Sequence, residues 1–400
     1  MKRSTLAKCG ITSICELGGR FWSFLVPITS FELKRIDKSL FMPRIYMRSD
    51  LTEDRTNMKA IYIDDHGGNE VVHVGERPAP LRCSGEVLIN MQASTLNQVD
   101  LYMRNSGAGI SHRLPQNLGL EGFGQVVACD ADSGLTVGDD VIIHPGISCG
   151  ECEFCQRGDD VLCTRMSLVG EHRDGTWSQL VAVPRKNIFP APAYLAPVEA
   201  AALGVTHLTA WRMVVTQGQL TPGQTVLIFG IGGGVSVAAL QIALAIGSRV
   251  IVTSRQVHKL ERAIAMGAAH GIHTPDQDIV KSVMSLTNGR GVDLVIENIG
   301  EAVWGAAMKS LVRGGRLVTC GATSGDQPPA DLRRLFIRQL QILGSTLGNR
   351  HEFQDLLEFC ETHKIRPVID RTFAMEAVHG AFDMLSRAEQ FGKIALNLRM

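Results

Sequence analysis

Four cysteines lie close together in the segment HPGISCGECEFCQRGDDVLC (144–163), with the spacing C-x2-C-x2-C-x7-C: Cys149, Cys152, Cys155 and Cys163. Thiolates at this spacing can surround one soft metal ion, and a Zn²⁺ bound by all four has no position left for water. Two disulfides or four ordinary thiols are the alternatives, and an iron–sulfur cluster is disfavoured because Thr164, not Pro, follows the last cysteine. We therefore predict one structural Zn²⁺, and the reacting groups must lie elsewhere in the chain.

A second pattern, GIGGGVS (230–236), lies between an apolar strand predicted from Val226 to Phe229 and a helix of small residues. A second apolar strand, Val250 to Thr253, follows the helix, so the segment is typical of a βαβ unit with its glycines at the strand-to-helix turn. Glycines there let the backbone approach a pyrophosphate at the helix N-terminus. A generic α/β crossover is the alternative. The predicted cofactor-binding residues of this turn are Gly230, Gly233, Gly234 and Val235.

The end of the second strand bears on the choice of cofactor. An NAD site usually has an Asp or Glu there to bind the ribose 2′-hydroxyl, whereas this chain has Ser254 and Arg255, with Lys259 one turn later. Hydroxyl, guanidinium and ammonium groups suit a 2′-phosphate. A solvated basic helix start is the alternative, but it leaves the missing acid unexplained. We predict NADP(H) as the cofactor.

Composition narrows the class of protein. A chain of 400 residues is long enough for two domains, and its 40 basic and 40 acidic residues give no sign of a nucleic-acid partner. No apolar run reaches the roughly 18 residues that a membrane span needs. The other six cysteines are scattered, which argues against a secreted disulfide framework. We expect a cytoplasmic protein with neither nucleic acid nor membrane among its partners.

The remaining pattern predicts an α/β fold. Strands are expected at 292–297, 315–321 and 341–346, with a helix around 302–311 between the first two. After Met58 the chain alternates as a strand, a turn and another strand. Residues 1–57 show no convincing period, and we expect a poorly ordered extension without function.

Taken in order, these motifs resemble the medium-chain dehydrogenase/reductase superfamily. The resemblance implies a GroES-like β-barrel catalytic domain (58–206 and 348–400, with the zinc lobe at 144–166) and a Rossmann doubly wound parallel sheet (207–347). It also implies a homodimer paired through a Rossmann edge strand near 341–346. The segments that carry the resemblance are GEVLI (85–89), LNQVD (96–100), LGLEGFGQV (118–126), VGDDVIIHPG (137–146), AAALGVTHLTAWRM (200–213) and FGKIAL (391–396).

The resemblance fails at one place. Zinc alcohol dehydrogenases of the superfamily bind a second, catalytic zinc, and its ligand positions in this chain hold Asn97, Leu120 and Val205. Leu and Val cannot coordinate a metal, and Asn is a weak neutral donor. Oxidation of plain alcohols then loses several kcal/mol of Lewis-acid stabilisation. Hydride delivery to a conjugated acceptor needs less help, because its negative charge is delocalised.

LNQVD, VTHLTAW and the extra glycine of GIGGGVS look like the quinone oxidoreductase and enoyl reductase branches, which also lack the catalytic zinc. We therefore predict an NADPH-dependent oxidoreductase that transfers hydride to quinones, enones or similar activated carbonyl compounds. An alcohol dehydrogenase with unusual metal ligands is one alternative. A non-catalytic NADPH-binding protein is another.

Further site residues follow from the resemblance. Asn97 is expected to donate an amide hydrogen bond to substrate or nicotinamide, and Thr209 to border the nicotinamide; a turn-capping Asn and an ordinary helix residue are the alternatives. Gly321 and Ala322 are expected near the carboxamide, and Lys393 near the pyrophosphate. A rebuilt metal site from His144, His172 and Glu121 is a less favoured hypothesis, since three separated segments cannot be joined from spacing.

Overall fold

The computed structural model describes residues 56–399, so the predicted extension at 1–57 lies almost entirely outside the described residues. The first elements are two antiparallel strands whose register runs from Asn57↔Pro78 to Ile63↔Val72. Ile61 and Ile63 are fully buried and Tyr62 between them is half-buried, as expected when successive side chains point to opposite faces of a strand. Between the two strands lies the glycine-containing turn that the sequence indicated.

Strands and short helices alternate through the first half of the described chain. The strands are β1 (Asn57–Ile63), β2 (Val72–Pro78), β3 (Glu86–Thr95), β4 (Gln116–Asn117), β5 (Gly122–Ala128), β6 (Asp140–Ile143), β7 (Gly146–Ile147), β8 (Ser167–Leu168), β9 (Leu180–Pro184) and β10 (Ile188–Pro190). The helices are α1 (Gln98–Ser106), α2 (Glu153–Gln156), α3 (Pro197–Ala200) and α4 (Leu208–Trp211), and π-helical turns (Leu203–His207 and Arg212–Gln217) flank α4.

The second half begins with a wound parallel sheet and ends with two strands that return to the first half. Its strands are β11 (Thr225–Ile228), β12 (Arg249–Ser254), β13 (His270–His273), β14 (Val292–Glu297), β15 (Leu311–Thr319), β16 (Gln341–Gly344), β17 (Ile369–Ala374) and β18 (Lys393–Asn397). Its helices are α5 (Gly234–Ile246), α6 (Val257–Ala265), α7 (Ile279–Leu286), α8 (Glu301–Ser310), α9 (Leu332–Arg338), α10 (Arg350–His363) and α11 (Val378–Ser386).

The first half of the described chain, together with β17 and β18, is the part expected to be GroES-like. Its main sheet has the order β10-β6-β5-β3-β18-β17, with β9 also paired to β3. Strand β18 lies between β3, to which it is antiparallel, and β17, to which it is parallel. The returning segment is therefore an interior strand of the sheet, and it carries Lys393 at its first position.

The Rossmann half is a six-stranded sheet in the order β13-β12-β11-β14-β15-β16, with every pairing parallel. Apolar side chains fill β11, β12 and β14 because helices cover both faces of such a sheet. The strand order reverses beside β11, and in a doubly wound sheet the ligand crevice lies at the carboxyl ends of the strands at such a reversal. Among the described residues no helix has both the length and the apolar character of a membrane span.

Most predicted boundaries agree with the structure within a few residues. Strand β14 matches its predicted range, and α8 begins and ends one residue before the predicted helix. Strand β15 starts four residues before its predicted start at 315, because Leu311 pairs with Val292 of β14 ahead of a bulge. Strand β16 ends at Gly344, two residues short of the prediction.

Candidate active site and zinc lobe

The four cysteines of the zinc lobe come together. Their Sγ atoms all lie within 4.8 Å of one another, with Cys149 Sγ to Cys155 Sγ at 3.8 Å and Cys152 Sγ to Cys155 Sγ at 3.5 Å. None of these four cysteines forms a disulfide bond. Four thiol sulfurs converging on one centre suit a tetrahedral Zn²⁺, and the lobe fits the closed structural site that the spacing predicted.

Backbone N–H groups donate hydrogen bonds to the cysteine sulfurs of the lobe, and such bonds favour the thiolate form. Glu151 N and Cys152 N each donate to Cys149 Sγ at 3.4 Å, and these bonds lower the pKa of Cys149 to about 6. Cys149 N and Arg165 N donate to Cys163 Sγ at 3.2 and 3.3 Å. The pKa of Cys155 is instead raised to about 11 by burial. A bound cation would offset this effect of burial on the pKa of Cys155, because metal binding releases thiol protons.

Beside Asn97, one of the three positions that the superfamily resemblance assigns to a catalytic zinc, the structure has a buried ion pair. Lys393 Nζ donates to Glu121 Oε1 at 2.9 Å, to Asn97 Oδ1 at 2.6 Å and to Leu96 O at 2.8 Å. Lys393 is 2% exposed and Glu121 is fully buried. A buried charge of this kind is tolerated only when its partners are close and its hydrogen bonds are satisfied, as they are here.

Glu121 collects donors from three parts of the chain. Its Oε1 also accepts from Thr95 Oγ1 at 2.5 Å and from Asn97 Nδ2 at 3.0 Å, and its Oε2 accepts from Val205 N at 2.6 Å. A Cβ at Gly204 would lie 3.2 Å from Glu121 Cβ and 2.6 Å from Ile143 O, so only glycine permits this approach. The carboxylate thus joins the segments of Asn97 and Val205, two of the three positions expected to have lost zinc ligands.

Asp100 lies beneath this cluster. Its Oδ2 accepts from Asn97 N at 2.7 Å, closing the first turn of α1. Burial raises the pKa of Asp100 to about 7, and the neighbouring Glu121 adds to the rise while Lys393 opposes it. Asn97 is the N-cap residue of α1, but its side chain bonds to Glu121 and Lys393 and makes no capping hydrogen bond to the helix.

The glycine turn has the shape that a bound pyrophosphate requires. Gly230 and Gly232 have φ of 63° and 122°, and Gly233 caps α5. A Cβ at Gly234 would lie 2.8 Å from Thr206 Cγ2 and 2.9 Å from Lys393 Cδ. Only glycine fits this close packing at position 234, and a turn with left-handed glycines that leads into the N-terminus of α5 fits a dinucleotide.

The three residues predicted to hold a 2′-phosphate differ in their exposure to solvent. Ser254 ends β12 and is buried, with its Oγ accepting from Gln256 N at 3.1 Å, whereas Arg255 is exposed. Lys259 is buried against Gly232, and its Nζ donates to Ala388 O at 2.6 Å. Burial lowers the pKa of Lys259. Arg255 is the cation of this trio that faces solvent.

The remaining predicted residues lie near the same edge of the Rossmann sheet or at the junction helix. Gly321 follows β15, and a Cβ there would lie 3.0 Å from Asn298 O, while the Ala322 backbone packs against Gly300. The Thr209 hydroxyl donates to Val205 O at 2.7 Å, one turn back in the helix. Lys393 packs its stem on Gly234 but directs its ammonium to Glu121, not to the glycine turn where it was expected.

The histidines do not assemble into a second metal site. The ring nitrogens of His144 meet the backbone oxygens of Gly146 and Gly348 at 3.2 and 2.9 Å, and burial lowers its pKa. His172 Nδ1 accepts from Leu168 N at 3.1 Å. In the described part of the chain, the four cysteines are the group of three or more His, Cys, Asp or Glu side chains that converges on one point. The hypothesis of a rebuilt site from His144, His172 and Glu121 is therefore not supported by the geometry.

Sequence reasoning missed the partnership of Glu121 with Lys393 and the burial of Asp100. One signal was available: Lys393 and Glu121 each stand as a single charge inside an otherwise apolar or small-residue segment, FGKIAL and LGLEGFG. Charged residues are rarely fully buried unless paired. The segments are far apart in sequence, so the partner of each could not be named.

Comparison with known proteins agrees with this geometry. A family described as "Zinc-binding dehydrogenase" matches residues 234–362, and one described as "Alcohol dehydrogenase GroES-like domain" matches residues 83–193. The chain is 30% identical to an NAD-dependent alcohol dehydrogenase of Sulfolobus acidocaldarius, over 85% of this chain and 100% of the relative.

Two solved structures share the fold over most of their length. One, an NAD-dependent alcohol dehydrogenase, has 39% identity and a TM-score of 0.81 over 85% of this chain and 99% of its own. The other, a crotonyl-CoA carboxylase/reductase, has 25% identity and a TM-score of 0.80 over 85% and 88%. The chain thus belongs to the medium-chain dehydrogenase/reductase superfamily, of the zinc-binding, alcohol dehydrogenase-like kind, and is a nicotinamide-dependent oxidoreductase.

Proposed function

We propose that the protein is an NADPH-dependent reductase of quinones, enones or similar activated carbonyl compounds. One observation carries the proposal: Asn97, which holds one of the three ligand positions assigned to a catalytic zinc, is hydrogen-bonded to the buried pair of Glu121 and Lys393. The three ligand positions do not fit a zinc ion, because the carboxamide of Asn97 and the aliphatic side chains of Leu120 and Val205 stand where anionic or imidazole ligands are needed.

The chemistry left to such a site favours conjugated acceptors. When bound, a reduced nicotinamide supplies the hydride, and a solvent proton completes the reduction. Asn97 Nδ2 carries two hydrogens, of which Glu121 Oε1 accepts one, so the second is a donor for a substrate oxygen or the carboxamide. One neutral donor holds a delocalised enolate-like oxygen far better than the localised alkoxide of a plain alcohol. Thr209, Gly321 and Ala322 are proposed to border the nicotinamide.

The preference for NADPH is supported by the end of β12. Arg255 is exposed at the first position after that strand, and no acid stands there to bind a ribose 2′-hydroxyl. Two relatives are named as NAD-dependent, so the choice between the two cofactors is a proposal about this chain's own residues. A guanidinium suits a 2′-phosphate because it donates charge-assisted hydrogen bonds.

The names of the relatives favour the second candidate, an alcohol dehydrogenase. In that case the catalytic metal would have to be held by unusual ligands, because Leu120 and Val205 cannot coordinate it. A homodimer paired through β16, and a cytoplasmic location, are part of the proposal as well; the unpaired state of the described cysteines supports the latter.

Zinc quantification combined with a substrate panel tests the reaction class. We expect one zinc per chain, NADPH oxidation with quinones and enals, and little activity on simple aldehydes or alcohols. A chelator that removes exchangeable metal but leaves the lobe loaded should not inhibit turnover. Two zinc ions per chain with plain alcohols as the best substrates would replace the proposal with the alcohol dehydrogenase. Tight NADPH binding without turnover on the panel would favour a non-catalytic binding protein.

A further inference from the structure

Glu171 is a buried glutamate whose carboxyl has no partner in the protein. The residue is 4% exposed, and no group among the described residues donates a hydrogen bond to its carboxyl oxygens. Burial alone raises the pKa of Glu171 to about 7, because no neighbouring cation or donor opposes it. Buried carboxyl groups are nearly always hydrogen-bonded, since leaving one unpaired costs stability. The hydrogen-bonding capacity of Glu171 is thus free for a ligand.

The carboxyl oxygens of Glu171 are not sealed inside the protein. The wholly enclosed unpartnered oxygens of the described residues include Asp100 Oδ1 and Gln390 Oε1 but neither oxygen of Glu171. Because Glu171 makes no hydrogen bond, each of its two oxygens must therefore keep a small accessible area. A side chain that is buried along its stem and accessible at its carboxyl tip lies at the end of a narrow opening.

The turn that carries Glu171 packs against the segment of the candidate site. A Cβ on Gly170 would lie 2.7 Å from the carbonyl carbon of Gly119, so the two backbones are in direct contact. Further along the turn, Thr176 N donates to Gly119 O at 2.9 Å. Glu171 and Leu120 are each one residue from the contact of Gly170 with Gly119. With neighbouring Cα atoms about 3.8 Å apart, Glu171 therefore lies close to a position assigned to the catalytic zinc.

Glu171 is near the candidate site but separate from its charged cluster. Neither Glu121 nor Lys393 contributes to the pKa shift of Glu171, which burial accounts for. A substrate whose carbonyl reaches Asn97 must extend its other end along the wall of the cleft. A free carboxyl in that wall, away from the charged cluster, is suited to contact the end of the substrate that does not react.

We infer that Glu171 is a specificity-determining residue: its carboxyl binds a hydrogen-bond donor, above all an ammonium, at the end of the substrate remote from the reacting carbonyl. This assignment rests on the proposed function, which places the reduced carbonyl near Asn97. An ammonium supplies both the charge and the hydrogen bond that the protein leaves out. A substrate without a donor leaves the buried carboxyl unpaired, and such a mismatch discriminates more strongly than a missing apolar contact.

Matched acceptors test this inference. Three trans-enones of equal chain length end in a methyl, a hydroxyl or a protonated dimethylamino group, and the comparison is repeated at several chain lengths. In the unmodified protein we expect kcat/KM to be lowest for the methyl end and highest for the cation, by roughly tenfold or more at the best length. Glu171→Gln should remove the advantage of the cation but keep that of the hydroxyl. Glu171→Leu should make the methyl-ended enone the best substrate.

Glu86→Gln is the matched control. Glu86 Oε1 accepts from Arg173 Nη2 at 3.0 Å, so this carboxylate contacts the same turn but has a partner in the protein. Its replacement should leave the order of the three enones unchanged. Denaturant unfolding checks that the variants are folded. Glu171→Leu should be at least as stable as the unmodified protein, because no protein hydrogen bond is lost with the carboxyl, and a clear loss of stability would contradict the assignment.

Binding to a complex that cannot react separates this inference from the reaction class. Saturated ketones with the same three ends are titrated by calorimetry into protein with oxidised cofactor, which has no hydride to give. The affinities should follow the same order. Equal affinities for the three ends, or an order that persists in Glu171→Leu, would overturn the inference. If no enone is reduced but ketone binding follows the expected order and loses it in Glu171→Leu, the proposed reaction is wrong and the contact with Glu171 stands.

Discussion

The buried pair of Lys393 and Glu121 can be measured by a double-mutant cycle. The changes are Lys393→Met, Glu121→Gln and the two combined. Removing one partner of a buried ion pair usually costs 3–5 kcal/mol, because the other charge stays buried without its counterion. Replacing both with neutral groups of similar size costs much less, since neither charge then needs compensation.

The hydrogen bonds that remain in each single variant determine how much unfolding free energy it loses. After Lys393→Met, the Glu121 carboxylate keeps donors from Thr95, Asn97 and Val205, so we expect a loss near the lower end, about 3 kcal/mol. After Glu121→Gln, Lys393 keeps the oxygens of Leu96 and Asn97, and we expect about 2–3 kcal/mol. The combined variant should lose about 2 kcal/mol less than the sum of the single losses.

The assay is denaturant unfolding in zinc-replete buffer, with equal slopes for all four proteins. Lys259→Met combined with Glu121→Gln is the matched control, because Lys259 bonds to Ala388 O and shares no hydrogen-bond partner with Glu121. The loss in unfolding free energy of this control double variant should equal the sum of its two single losses within about 0.5 kcal/mol. If the losses of Lys393→Met and Glu121→Gln also add within that margin, the two charges do not stabilise each other and the reasoning fails.

Three further predictions concern other parts of the molecule. Cys155→Ser should release zinc and lower the melting temperature, and a variant that keeps full zinc content and stability would contradict the structural role of the lobe. Arg255→Ala should weaken NADPH binding by about 1.5–3 kcal/mol in calorimetry and leave NADH nearly unchanged; equal affinities of the unmodified protein for both cofactors would refute the assignment. Because burial raises the pKa of Asp100 from 3.8 to about 7, the folded state keeps a proton that the unfolded state loses, so this group's contribution to stability falls as pH rises from about 4 to 7. Asp100→Asn should flatten that part of the stability curve, and an unchanged pH dependence would argue that Asp100 is ionised in the folded protein.

Local pattern predicted the parts of the fold that local sequence controls. The four cysteines lie within a short segment, so their spacing alone defined the lobe. The glycine turn of GIGGGVS was recognisable because a strand and a helix flank it directly. Strand ends were less certain, as at β15, since a bulge and a partner strand extend it beyond its own apolar run.

The candidate site was predicted only in part, because its contacts are between distant segments. Asn97 was chosen as a site residue, but its partners Glu121 and Lys393 are 24 and 296 residues away along the chain. The position of Lys393 was inferred from resemblance as a cofactor contact, and no periodicity could reveal that its ammonium reaches a carboxylate instead. The contact of Lys393 with Glu121 depends on the position of β18 between β3 and β17. That position depends on the whole sheet, so the sequence around Lys393 could not predict it.

The interior position of β18 has a consequence for how the protein folds. Its pairing with β3 joins Ala395 to Thr95, which closes a loop of about 300 residues, and Lys393 bonds to Leu96 across 297 residues. Closing so long a loop in an unstructured chain is entropically costly, but a folded Rossmann half between the two strands shortens it greatly. We therefore expect the six-stranded sheet to form first and the catalytic sheet to be completed afterwards. The positive charge of the site then arrives with the last strand to be inserted, so a chain whose Rossmann half is folded remains chemically incompetent until that insertion is finished.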